Sequence, residues 1–172
     1  VITRQRARLK RILAEADGYL ELGMPQQALV AIDRLESEAN RHSRALYLRG
    51  EALKELGRFE EAIEPLLNAA DQAPSNLSTW LALGWCYKRT GRLDLAIDSL
   101  ERATEFNDSE AIIPYNLACY YSLSHDKARA LDCLARSFTM NANYREMVAH
   151  ERDFDPIRDD PEFQSLIEST IV

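Results

Sequence analysis

The chain has 172 residues, 46% of them hydrophobic and 28% charged, which suits a single domain with a real core. A formal charge of −7 argues against general recognition of nucleic-acid backbones, which needs clustered cations. No run of about eighteen apolar residues exists to cross a bilayer.

The opening "VITRQRARLKR" carries five basic residues and no acid. Residues 1–8 read as a solvated extension of a first helix, and an anchor for anionic lipid or RNA is the less expected reading. From there a period of 34 sets in. Gly23, Gly57 and Gly91 are 34 apart, and the next step falls on His125. Ala28, Ala62, Ala96 and Ala130 share the period, as do Ile32, Leu66, Leu100 and Leu134. So do Ala16, Gly50, Gly84 and Ala118, and Tyr19, Leu53, Tyr87 and Tyr121. Five columns in register over four copies indicate a stacked-repeat architecture.

The first copy, residues 9–42, places Pro25 at the start of its second helix, where a missing N–H costs nothing. The second, 43–76, has Pro65 inside "EEAIEPLLNAA", which predicts a kink early in that helix. In the third, 77–110, "WLALGWCY" sets Trp80, Leu83, Gly84 and Tyr87 on one helical face. Ala96, Leu100 and Ala103 repeat that spacing beyond "RTGR". Two striped helices joined by a glycine turn make an antiparallel hairpin, with Gly84 and Ala96 permitting close approach and Gly91 ending the first helix in the left-handed region. The fourth copy, 111–144, is looser.

A fifth copy would begin at Arg145, with Asn143 as its cap. Pro156 and Pro161 predict that the rhythm stops there, and Asp160–Pro161 reads as an N-cap and first helical residue. Residues 145–172 hold eight acids against Arg145, Arg152 and Arg158. A stacked array must end in a unit whose outer face tolerates water, so this segment is expected to be a cap. Asp153, Asp155 and Asp159 do not make a calcium loop, because Pro156 intervenes and no glycine supplies the turn. His150 has no second histidine or cysteine at ligand spacing.

"WLALGWCYKRTGRLDLAIDSLERA" and "LYLRGEALKELGRFEEAIEPLLNAADQAP" resemble tetratricopeptide repeats, whose pattern is W-x2-L-G-x2-Y, then A-x3-F, then P. The third copy matches through Trp80, Leu83, Gly84, Tyr87 and Ala96. The second has Arg49 where leucine is usual. "RDFDPIRDDPEFQSLI" also looks like the tail that closes other arrays of this family. The resemblance implies an all-α fold, a right-handed superhelical solenoid of antiparallel helix hairpins. Four units and C-terminal capping helices would form a single domain over residues 1–172, with the first helices lining a concave groove.

If positions 4, 7, 8 and 11 of each copy face the core, positions 2, 5, 9 and 12 face the groove. The candidate partner-binding residues are then Leu13, Arg44, Tyr47, Lys54, Leu81, Trp85 and Lys88, with Arg89 beside them, and Ile112, Tyr115 and Cys119 in the fourth copy. Aromatic anchors flanked by cations predict a protein or peptide partner with apolar anchors and acidic character. Coverage by the chain's own ends is the competing reading, and self-association of basic front on acidic rear is the alternative function. The clamp by which some family members grip chaperone tails is missing, since Leu13, Asp17, Leu48, Ser78 and Ala82 stand at its positions.

No catalytic residue is expected: "SHD" at Ser124–Asp126 lies in a turn, and consecutive side chains point apart. No cofactor or metal is expected either. Cys86, Cys119 and Cys133 form no CxxC pair, and Cys86 and Cys133 read as packing thiols. Unpaired cysteines, with no visible signal peptide, predict a cytoplasmic setting. The start on Val1 suggests a piece of a longer protein.

Overall fold

The computed structural model describes residues 2–36 and 42–168. Among these there are α-helices, a 3-10 segment at Arg152–Ile157, and no strand. Helices α1 (Ile2–Glu21) and α2 (Pro25–Asp33) form the first hairpin, α3 (Ser43–Glu55) and α4 (Phe59–Gln72) the second. Next come α5 (Leu77–Arg89), α6 (Leu93–Thr104), α7 (Ile112–Leu123) and α8 (Lys127–Met140). The ending consists of α9 (Tyr144–Val148), the 3-10 segment Arg152–Ile157 and α10 (Pro161–Glu168). The chain divides into two compact units, Val1–Gly91 and Arg92–Val172.

The period of 34 is visible in the backbone. The second helices start at Pro25, Phe59, Leu93 and Lys127, each 34 residues after the last. Before each start one residue is left-handed: Gly23 at φ +67°, Gly57 at +73°, Gly91 at +77° and His125 at +61°. That residue's N–H reaches back three residues, and the following N–H reaches back five, as in Met24 to Tyr19 (2.8 Å), Arg58 to Leu53 (2.9 Å) and Asp126 to Tyr121 (2.9 Å). This is the Schellman closure, which satisfies helix-end carbonyls that would otherwise be orphaned. His125 adopts it although a β-carbon is disfavoured there.

Inside the first unit, α3 lies beside α1 and α5 beside α3, while α2 packs on α3 and α4 on α5. The small-residue columns are sealed: Ala16, Ala28 and Ala62 are wholly buried, as are Ile32 and Leu66. A Cβ on Gly50 would stand 2.4 Å from Leu66 Cγ, so glycine is what lets α3 and α4 meet. Trp80 Nε1 donates to the Pro74 carbonyl at 2.7 Å, and Asn76 Oδ1 accepts from the Thr79 N–H, fixing the entry into α5. Helix α4 runs without a break through buried Pro65. The Glu61 carbonyl, deprived of its helical donor, belongs to an exposed residue on the same open cleft as Pro65.

Inside the second unit, α7 pairs with α8 and packs on α6, and the 3-10 segment lies on α7. Helix α9 stops at Val148, well before Pro156, so proline is not what ends it. Asn143 is itself helical (φ −63°, ψ −25°) and its side chain caps nothing. Instead Asn141 Oδ1 accepts from the Asn143 N–H at 3.0 Å, two residues earlier than the sequence suggested. Asp160 does cap α10, accepting from the Glu162 N–H at 2.9 Å, with Pro161 as first residue.

Candidate functional site

The face predicted to hold a partner divides according to unit. In the first unit the residues at positions 2, 5, 9 and 12 lie across α1, α3 and α5 and are tied laterally. Asp17 on α1 accepts from Arg44 Nη2 on α3 at 2.6 Å. Tyr47 on α3 shares a side-chain hydrogen bond with Ser78 on α5. The Arg44 guanidinium lies 5.3 Å from the Tyr47 ring centre, and Lys88 Nζ lies 4.7 Å above the Trp85 ring, both within cation–π range. Desolvation raises the Tyr47 pKa, with Glu51 adding to it.

Trp85 is 41% exposed on α5, while Leu13 on α1, Tyr47 on α3 and Leu81 on α5 are half-buried. Lys54 is paired with Glu51 one turn earlier. Two of the cations expected to greet an acidic partner, Arg44 and Lys54, therefore already have carboxylate neighbours. Arg89 is turned aside, its guanidinium 4.9 Å from the Phe59 ring centre at the start of α4.

In the second unit the expected open surface is covered. Ile112 is half-buried, but Tyr115 is only 3% exposed and Cys119 2%. The cause is the chain's own ending. Tyr115 packs against Tyr144 (ring centres 4.8 Å) and edge-on to Phe154 (5.9 Å), and Phe154 in turn meets Phe163 (5.6 Å). Phe154 and Phe163 are fully buried. As placed, Tyr115 and Cys119 are not accessible, and their assignment to an open groove is corrected: the capping segment holds that position. Periodicity marks which way a residue points from its helix and carries no information on what returns to cover it.

Two features escaped the sequence. One is an open cleft of about 680 Å³ between α2 and α4, with Leu29, Leu46 and Pro65 among its walls. Arg49, standing where the repeat pattern has leucine, reaches Asp33 Oδ1 at 2.7 Å along it. The other is a cluster in which Cys119, Glu151 and Asp153 bring one donor atom each within 4.8 Å of one another. Glu151 and Asp153 lie 32 and 34 residues beyond Cys119, at no spacing that a motif search covers. Cys86 is sealed in the first unit, and burial pushes its thiol up to about 11, so it behaves as a packing residue.

Antiparallel hairpins of constant length, each closed by a left-handed turn residue and packed through small side chains, define a helical-repeat protein. Tetratricopeptide-repeat family models match residues 13–77 and 55–112. The chain belongs to the tetratricopeptide repeat family. The same fold recurs in solved structures. A MamA protein aligns at TM-score 0.74 and 17% identity, over 94% of this chain and 91% of its own. MamA from Desulfovibrio magneticus RS-1 gives 0.72 at 18%, over 78% and 76%. YrrB, described as a TPR protein with an unusual peptide-binding site, gives 0.71 at 18%, over 78% and 70%. At these identities the likeness is one of fold. No curated protein matches the chain.

Proposed function

We propose that the protein is a non-enzymatic interaction scaffold that docks a peptide segment on the face formed by α1, α3 and α5. The carrying observation is Trp85, a large aromatic left 41% exposed beside Leu81 and under Lys88. Aromatics in such settings are the residues that dominate binding energies. YrrB, similar in fold, is described as having a peptide-binding site, which supports the class of function. Apolar anchors supply the affinity in this reading. An acidic residue on the partner would meet cations already shared with Asp17 and Glu51, so charge serves register more than strength. Three unbridged cysteines support a reducing, cytoplasm-like setting.

Peptides selected from a random library on the intact protein test this. The expected result is that Trp85→Ala weakens the selected peptides by ~30-fold or more, corresponding to ~2 kcal/mol. Peptides that bind the variant equally well, with its helicity unchanged, would sink the proposal.

Self-association is the second reading, supported by Leu22 and Val30, which are 74% and 58% exposed on the first hairpin. Light scattering across protein concentration and ionic strength separates the two. A monomer at all conditions removes this reading.

A further inference from the structure

We propose that Cys119, Glu151 and Asp153, with the phenol of Tyr115 beside them, form a binding site for a zinc-like divalent cation that fastens the cap to α7. The donors come from two segments. Cys119 lies on α7, while Asp153 belongs to the 3-10 segment and Glu151 is the residue that caps it. All three donor atoms lie within 4.8 Å of one another. A tetrahedral zinc with sulfur at ~2.3 Å and oxygens at ~2.1 Å sets its donors roughly 3.5 Å apart, so the cluster closes onto a cation by a movement of about 1 Å.

The second observation is independent of the cluster. Tyr115 is a turn before Cys119 on α7, and its hydroxyl is buried with no hydrogen-bond partner. Buried hydroxyls almost always have one. Cys119, Glu151 and Asp153 are among the ionisable side chains that act on this oxygen. A cation or a water bound to it would give that oxygen its missing neighbour. Glu151 Oε1 already accepts from the Asp153 N–H at 3.1 Å, which holds both carboxylates at the same end of the segment.

The donor set selects the metal. A thiolate with carboxylates suits zinc and its borderline relatives, while magnesium and calcium take oxygen ligands alone. On binding, the sulfur–metal bond forms as the thiol proton leaves to solvent, so affinity rises with pH. The site bridges α7 and the cap, so a bound ion would hold the segment that buries Tyr115 and Cys119. This is separate from the α1–α3–α5 face, and either can fail alone.

The test is a titration of the reduced, chelator-treated chain with Co²⁺, followed by displacement with Zn²⁺. One equivalent should produce a sulfur-to-cobalt charge-transfer band in the near ultraviolet. The band should survive the double replacement Cys86→Ser with Cys133→Ser and vanish in Cys119→Ser. Asp153→Asn should weaken binding at least tenfold, and Zn²⁺ should raise the melting temperature of the parent chain but not of that variant. No band with the parent chain, or a band persisting in Cys119→Ser, overturns the proposal. Should Cys119→Ser fail to fold, Asp153→Asn decides, and parent-like affinity there is equally fatal.

Discussion

Phe154 sets its ring edge-on to Tyr115, 39 residues upstream, with centres 5.9 Å apart. That contact lies at the middle of the cap, since Phe154 touches Phe163 on its other side. Truncation to Phe154→Ala is expected to cost ~3–5 kcal/mol and to loosen the ending from α7. Thiol labelling reads the consequence. In the parent chain half-buried Cys133 should react first, with Cys86 and Cys119 protected. In the variant Cys119 should become reactive while Cys86 stays protected, and unchanged Cys119 protection would show that the cap does not depend on this ring.

Gly50 and Leu66 make a second test. Leu66 is fully buried and cannot swing aside from a new methyl group. Gly50→Ala gains up to ~1 kcal/mol of helix propensity but overpacks the hairpin by ~1–3 kcal/mol. A net loss is expected in urea unfolding. Gly18→Ala is the control, because nothing lies within 4 Å of a β-carbon there. That change should stabilise by ~0.5–1 kcal/mol.

His125 occupies a backbone conformation that its three counterparts fill with glycine. His125→Gly should raise stability by ~0.5–1 kcal/mol, the relief of a left-handed β-carbon less the added freedom of the unfolded chain. Gly57→Ala, at φ +73° with open space around it, should lose about 1 kcal/mol from backbone strain alone. Equal melting temperatures for both variants and the parent would contradict the strain argument.

Asp126 carries the pH dependence of the last repeat turn. Its carboxylate accepts from the Arg129 N–H at 3.1 Å and from Arg129 Nε at 2.6 Å, and these bonds hold its pKa below the usual range. A depressed carboxylate stabilises the fold above its unfolded pKa, and that contribution is lost as pH falls through the folded value. Asp126→Ala should therefore melt lower than the parent at neutral pH. The gap should close progressively below pH ~4, where the parent's carboxylate protonates too. A gap independent of pH would assign the loss to something other than charge.

The repeat period was legible because each column has a local cause: a left-handed turn, a sealed alanine, a buried leucine. Pro25 and Asp160–Pro161 were readable for the same reason. Asn143 was misjudged because two asparagines stand within three residues, and only the backbone shows which of them is outside the helix. Which side chains stay open was readable on α5, where Trp85 is exposed. That reading failed on α7, where Phe154 and Tyr144 return across the surface from beyond the last repeat. The Cys119–Glu151–Asp153 cluster was illegible for that same reason, since it exists only once the ending has folded back.

The Asp17–Arg44 and Tyr47–Ser78 ties lie on the surface proposed to receive a partner. A visiting carboxylate that claims Arg44 must loosen α3 from α1, exchanging an internal rung for an external one. Occupancy would thus be felt mechanically, as altered compliance between adjacent hairpins, and the chain could report a guest by how easily it stretches.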